Sequence, residues 1–381
     1  MEGPKFSTEN ERLLEIAAQF ARQGPVRSAV PLGNGNINST FLVTAAGGEQ
    51  FVLQRINAQV FHQPEQVIHN IVALNEHLSH QSAERSRRWE TPHILPTHQG
   101  QHYWIDAAGE YWRAISFIEG AHVLERVESV AQAKEVGFAL AMFHRLIATL
   151  NTDKLTDTLK GFHITPLYLA AYETVRRDWE MEQGADSWAR SLSPTLAEHV
   201  HDCFGFIEQR QQWAHVLEQA KASGHLCLRP IHGDPKVNNI LLDDSGLAIG
   251  LVDLDTLKPG LIHYDIGDCL RSGCNRLGEE TEDWQRVVFD LDLAEAMLQG
   301  YLALAQDFLT ETDYDYLYDA IRLIAFELGL RFFTDYLAGN VYFKVKHPTH
   351  NLRRALVQFK LTESIEAQSN SIRAMIQSLR P

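Results

Sequence analysis

Cysteine is scarce in this chain. Cys203, Cys227, Cys269 and Cys274 are the only four in 381 residues, and none forms a C-x-x-C pair. A chain of this length needs no disulfide staples, so a reducing compartment, the cytoplasm, is the expected address. Positive charge is short as well: 34 Lys and Arg against 49 Asp and Glu leave a formal charge of -15. Such a surface repels phosphate backbones and anionic lipid, so neither nucleic acid nor a membrane is expected as a partner. An anionic small substrate would need a locally positive pocket. No run approaches the ~20 apolar residues that span a bilayer, and Met1 to Phe6 lacks the apolar core of a signal peptide. There is no H-E-x-x-H motif and no Cys/His quartet. The 18 histidines, His77 with His80 and His98 with His102 among them, are therefore read as surface side chains and not as zinc ligands.

What the chain does contain is an ordinary globular composition, 45% hydrophobic, long enough for two compact units or one unit with lobes. Thr8-x-x-Glu11 reads as a capping box before a helix carrying Leu13, Leu14, Ile16, Ala17 and Phe20, with Gly24-Pro25 ending it. Phe41 to Thr44 and Phe51 to Ile56 flank Gly47-Gly48, a hairpin signal. A helix with Val67, Ile68, Ile71, Leu74 and Leu78 on one face follows Pro64, then an exposed polar loop over His80 to Arg88. Strands resume at Tyr103 to Ile105 and Tyr111 to Ile118. From about Ser129 the pattern is helical, broken by two short apolar runs, Asn239 to Leu242 and Ile249 to Val252, around Asp243-Asp244-Ser245-Gly246. The expected architecture is α+β and bilobal: a small β-rich lobe over residues 1–118 and a larger, mainly helical lobe over 119–381. A cleft between such lobes is a natural ligand site.

One segment stands out chemically, Ile231-His232-Gly233-Asp234-Pro235-Lys236-Val237-Asn238-Asn239. Asp is followed by Lys two residues on and by Asn five residues on, and beyond the hairpin comes Asp253-Leu254-Asp255. Phosphoryl transfer needs a carboxylate to accept the hydroxyl proton, oxygen ligands for Mg²⁺, and a cation against the moving charge. The protein-kinase loop H-R-D-x-x-x-x-N has the same Asp-to-Asn spacing, with a metal-binding Asp on a later turn. Singly, each piece is also an ordinary turn or hairpin. Their order and spacing together point to a kinase site.

On these residues the chain resembles the aminoglycoside phosphotransferase/choline kinase family, of protein-kinase-like fold, from about Val30 to Leu361. The resemblance implies ATP and Mg²⁺ as cofactors, Asp234 as catalytic base, Lys236 near the transferred phosphate, and Asn239 and Asp253 as metal ligands. Asp255 is a weaker metal candidate. His232 is read as orienting the loop, and Asp265, in Tyr264-Asp265-Ile266-Gly267-Asp268, as bracing it through backbone bonds. In the first lobe, Gly33, Gly35 and Asn38 lie in a glycine-rich turn able to approach phosphates, and there is no Walker P-loop. The next strand lacks the usual Lys and reads Val52-Leu53-Gln54-Arg55. Adjacent strand residues face opposite sides, so Gln54 or Arg55 takes that place, not both; Arg55 is preferred because only it is charged. Neither Glu65 nor Glu76 falls on the buried helix face where a partner carboxylate belongs. Phe117 and Ile118 resemble the hinge whose backbone meets adenine.

Three further stretches resemble one subgroup, the N-acetylhexosamine 1-kinases. They are Leu53-Gln54-Arg55-Ile56-Asn57 with Val60-Phe61; Asp253-Leu254-Asp255-Thr256 with Pro259-Gly260; and Arg331 to Leu337 running to Val341-Tyr342-Phe343-Lys344. That likeness implies a sugar acceptor phosphorylated on its anomeric hydroxyl. Arg331, Asp335, Tyr336, Tyr342 and His163 are expected to recognise it, though the stretch also reads as an aromatic core helix. Two alternatives stand beside it: a same-fold kinase for another alcohol (aminoglycoside, choline, homoserine or a thioribose), or a non-catalytic nucleotide-binding regulator.

Overall fold

The structure is a computed structural model and describes residues 6–33, 37–81, 87–183 and 192–380. Residues 82–86 of the expected polar loop lie outside them. Helix α1 (Phe6–Ala18) starts two residues before the expected cap at Thr8, which falls inside the helix. Strands β1 (Val26–Pro31), β2 (Ser39–Ala45) and β3 (Gln50–Arg55) follow. Helix α2 (Pro64–Ser79) leads to β4 (Ile94–Leu95), β5 (Trp104–Ile105) and β6 (Tyr111–Ser116). The sheet order is β1-β2-β3-β6-β4, with β5 also paired to β6, and every pairing is antiparallel. The hairpin pairs Val43 with Phe51 across Gly47-Gly48, as the alternation of apolar residues predicts.

Alternation also decides which face each strand residue serves. Val43, Phe51, Leu53, Trp112 and Ala114 bury one face against Ile16, Ala17 and Phe20 of α1. The opposite face of the sheet looks toward the helical part of the chain. Val67, Ile68, Ile71 and Leu74 of α2 join the large core of that helical part. Asn70, on the same face, pins it: its amide N–H groups donate to Thr156 O (2.7 Å) and Leu257 O (2.8 Å), and its Oδ1 accepts from Thr156 N (2.9 Å).

After β7 (His122–Val123) come α3 (Val130–Ile147), α4 (Thr165–Gln183), α5 (Pro194–Glu208) and α6 (Val216–Ala222). Ser129 caps α3 by accepting from Gln132 N (3.2 Å). Strand β8 (Arg229–Ile231) pairs with β11 (Lys258–Gly260), and between them lies the expected hairpin, β9 (Ile240–Leu242) with β10 (Ala248–Leu251). Strand β7 adds to that hairpin. The rest is helical: α7 (Ile262–Gly273), α8 (Leu291–Ala305), α9 (Glu311–Asp315), α10 (Leu317–Leu337), α11 (His350–Ala367) and α12 (Ser369–Leu379). Helix α7 has a strongly one-sided apolar pattern, yet eleven of its twelve residues are buried, so charged residues such as Asp265 and Asp268 lie inside the fold. No helix among the described residues is long and apolar enough to cross a membrane.

Helices α3 and α8 meet at two glycines. A Cβ on Gly137 would stand 1.9 Å from Met297 O, and one on Gly300 would stand 2.1 Å from Lys134 O. Both clashes are with backbone, which side-chain rotation cannot relieve. Gly137→Ala should therefore destabilise the protein by about 1–3 kcal/mol or more, read as a lowered Tm; an unchanged Tm would show that the helices separate freely.

Candidate active site

The loop from Ile231 to Asn239 is held at both ends of one residue. Asp265 on α7 accepts from His232 N (2.7 Å, Oδ2) and Gly233 N (2.8 Å, Oδ1). On the other side, His163 Nε2 donates to Gly233 O (2.7 Å). Gly233 has φ +88°, and a Cβ there would stand 2.6 Å from Thr256 O, so only glycine fits. His232 is buried; its Nε2–H donates to Val252 O (2.9 Å), and its Nδ1 accepts from Asp234 N (3.2 Å). Those partners require a neutral ring, and burial above all lowers its pKa. Behind Asp265 stands His144, hydrogen-bonded to Asp265 Oδ2 (2.9 Å) and to the Tyr301 hydroxyl (2.8 Å). The expectation of surface histidines is thus overturned at His144, which is buried, while His232 holds the loop it was expected to orient and His163 braces it from the other side.

The loop so fixed turns Asp234 and Lys236 toward the cleft, half-buried and paired at 2.6 Å. Burial by itself would discharge the ammonium, but Asp234 and Asp253 outweigh it and hold its pKa above the ordinary value. Asn239 Nδ2 donates to Asp234 O (2.7 Å), and among the described residues no donor uses its Oδ1. The Val252 N–H donates to Asn239 O (2.9 Å), which sets Asp253 beside the loop. Asp253 has φ +66°, one of three non-glycine residues in that region among those described, and such strain gathers at functional positions. Desolvation at the cleft floor and then neighbouring Asp255 push its carboxyl up to about 6, while Lys236 and Arg113 pull the other way. Asp234, Lys236, Asn239 and Asp253 therefore share one place.

That place suits a hard cation. Asn239 Oδ1 and the Asp253 carboxylate are the oxygen donors Mg²⁺ takes, and Mg²⁺ characteristically uses one or two protein oxygens and completes its shell with phosphate and water. The described residues hold no cluster of three or more His, Cys, Asp or Glu that would cage a metal alone.

The nucleotide side differs from expectation. Gly33 (φ +69°) is open, with nothing within 4 Å of a Cβ; Gly35 lies outside the described residues. Arg55 shares the α1 side of the sheet with Leu53: its Nη1 meets Glu110 Oε1 (2.9 Å), its Nη2 donates to Ser39 Oγ (3.1 Å), and it lies over Trp112. It faces away from Asp253 and is not the phosphate-side cation. Gln54 holds the inner face. Its Oε1 accepts from Arg113 Nε (3.0 Å) and Nη2 (2.7 Å), and Arg113 in turn pairs with Asp255. Asn38 also donates to Asp255, so its side chain joins the lobes instead of standing free. Glu65 and Glu76 are exposed, as their helix positions predict. Among the described residues, no backbone–backbone bond outside helices and strands uses Phe117 or Ile118. Ile118 packs with Leu241 and Ile249, an apolar floor under that hinge.

The five expected acceptor residues separate into two groups. Arg331 and Tyr342 converge. Arg331 lies against Phe162 (5.0 Å), Tyr168 (5.0 Å) and Phe343 (5.4 Å), has no acceptor among the described residues, and feels the charge of Glu327 and, more weakly, of Asp234. Tyr342 is exposed and packs edge-on to Phe343. The other three are committed elsewhere. His163 bonds Glu327 Oε1 (2.9 Å) as well as Gly233 O, so both its nitrogens donate and the buried ring is an imidazolium. Burial alone would lower its pKa, but Glu327 raises it on balance. Asp335 accepts from Tyr342 N (2.8 Å), Phe343 N (3.0 Å) and Asn351 Nδ2 (2.8 Å); it builds the loop that presents Tyr342. Tyr336 stacks on Phe333, whose ring packs on Tyr172 and Phe204. Five residues from Arg331 at about 100° each, it points well off Arg331's face.

The model of the phosphotransferase enzyme (APH) family matches residues 28–310. Similar solved structures include an aminoglycoside phosphotransferase from Alicyclobacillus acidocaldarius (16% identity, 99% of this chain and 98% of that one, TM-score 0.58). A microcompartment-associated aminopropanol kinase matches at 17% identity over 95% and 98% of the two chains, with TM-score 0.60. Amicoumacin kinase hAmiN, in complex with AMP-PNP, Ca²⁺ and Ami, matches at 13% identity over 99% and 97%, with TM-score 0.57. The fold is the protein-kinase-like one, a β-sheet region followed by a mostly helical part. With three quarters of its length matched, the chain belongs to the phosphotransferase enzyme family and is a kinase of small-molecule alcohols.

Proposed function

We propose that this chain transfers the γ-phosphoryl group of ATP to the anomeric hydroxyl of an N-acetylhexosamine, N-acetylglucosamine or N-acetylgalactosamine. Residues 1–118 would bind the nucleotide and 119–381 would hold the catalytic loop and the sugar. The observation that carries the acceptor class is Arg331: a guanidinium with no ion-pair partner among the described residues, walled by Phe162, Tyr168 and Phe343, within the field of Glu327 and, more weakly, of Asp234. Together with Lys236, it repels a cationic acceptor. Aminoglycosides, choline and amino alcohols carry such charge, whereas an acetamido sugar is neutral and presents a carbonyl oxygen to a guanidinium and a ring face to aromatic walls. The anomeric hydroxyl is also acidic for a sugar alcohol, so a carboxylate base suffices.

ATP and a divalent ion, Mg²⁺ in this reading, are taken over from hAmiN, which was solved with AMP-PNP and Ca²⁺. Asn239 and Asp253 would hold the ion, which when bound offsets charge on the phosphate oxygens. Asp234 would accept the sugar proton at Oδ1 or Oδ2, while Lys236 exchanges its pairing with Asp234 for the transferring phosphoryl group. The regulator alternative lacks support, since base, ammonium and metal oxygens are all assembled. Three buried, unpaired cysteines, Cys203, Cys269 and Cys274, fit a cytoplasmic address.

Incubation with ATP and each N-acetylhexosamine should yield ADP and, by phosphorus NMR, an ester on the anomeric carbon. ADP release only with aminoglycosides or amino alcohols would overturn the acceptor. Arg331→Met should raise the sugar KM at least about tenfold with kcat little changed, the mark of lost ground-state binding. Asp234→Ala should abolish turnover and leave ATP affinity by calorimetry within a few fold; an active alanine variant would remove Asp234 from the role of base.

A further inference from the structure

Strand β3 brings no cation to the inner face of the sheet. Gln54 stands there, and Arg55 is turned to the α1 side with Glu110 and Ser39. Directly across from Gln54 in the antiparallel register lies Arg113 of β6. Its side chain is 2% exposed and lies on the same face, because it reaches Asp255 in the turn that follows Asp253. We infer that Arg113 is the cation this sheet presents to the nucleotide's phosphates, supplied from β6 in the place that β3 leaves to a neutral glutamine.

Three observations carry this. First, the guanidinium is aimed. Gln54 Oε1 accepts from both Nε and Nη2, Gln54 Nε2 is in turn anchored on Thr40 Oγ1 (3.1 Å), and Asp255 accepts from Nη2. Such a fork cannot rotate. Second, the fork is not used up. Nη1 is buried and meets no acceptor among the described residues, so it keeps a charged donor for a ligand. A phosphate oxygen is the acceptor a charged N–H donor binds most strongly. Third, the location is right, since Arg113 is close enough to bias the charge of Asp253, on the floor where the metal and phosphates are assigned. Asp255 does not cancel the role. It accepts from Nη2 alone, Gln54 accepts from Nε and Nη2, and Nη1 is left without an acceptor among the described residues; Asp255 receives the Asn38 amide as well. Gln54 and Arg113 also explain each other: a lysine at 54 would set two cations side by side in a buried seam, and a glutamine supplies an acceptor in its place.

The inference rests on ATP being the phosphoryl donor, and calorimetry separates the two. Wild-type protein is titrated with ATP, ADP and adenosine, the last having no phosphate. Arg113→Met should weaken ATP and ADP at least about tenfold and leave adenosine unchanged. Since that substitution strands the Asp255 carboxylate, Arg113→Met with Asp255→Asn removes both charges in a second variant, with folding checked by Tm. Adding Gln54→Lys to either should restore most of the lost phosphate-dependent affinity by returning a cation to β3. Unchanged ATP affinity in a folded variant overturns the inference, as does an equal loss for ATP and adenosine, the sign of a mere inter-lobe brace. Wild-type protein that binds no nucleotide would overturn the donor assignment itself, and this inference with it.

Discussion

Two hydrogen bonds from the backbone of the catalytic loop to the Asp265 carboxylate organise the rest of the site. A loop with glycine at its centre would sample many conformations. Tying His232 N and Gly233 N to one buried carboxylate, and the Gly233 carbonyl to the His163 imidazolium, leaves it one. Asp234 then has a set direction, Lys236 can reach it at 2.6 Å, and Asn239 closes the turn on the Asp234 carbonyl. The braces come from widely separated elements: α3 through His144, α7 through Asp265, α10 through Glu327 and the loop before α4 through His163. The helical part thus serves as a frame that turns conformational freedom into geometry.

Charge is arranged as deliberately as shape. The protein is acidic overall, yet its cleft gathers three carboxylates, Asp234, Asp253 and Asp255, against two cations, Lys236 and Arg113. Without those cations the carboxylates would repel one another; burial, and after it the neighbouring Asp255, raises the pKa of Asp253. Arg331 stands apart, held by aromatic faces and, among the described residues, in no ion pair. A guanidinium kept in that way retains all its donors for something else.

Much of this was legible in the sequence, and where it was not the cause is particular. The spacing from Asp234 to Asn239, the hairpin and Asp253 are local, so chain order alone sets them close. Between Gln54 and Arg55 charge favours Arg55, but strand alternation puts Arg55 with Leu53, toward α1. The cation on the inner face came from a strand nearly sixty residues away, which only pairing reveals. The helical angle between Arg331 and Tyr336 already sets the two on different faces. His163 and Asp335 gave no such warning, because their partners, Gly233 O and the backbone of residues 342–343, are fixed by tertiary contact.

By itself the sequence determined the chemical inventory: an acid, an ammonium, an amide and a second acid in an order suited to phosphoryl transfer. Only the tertiary structure decided the division of labour, which buried histidines brace and which guanidinium stays unpaired among the described residues. A residue type states what a group can do, while its task depends on which partners are within about 3 Å once the chain has folded, and those partners come from elements that sequence order does not connect.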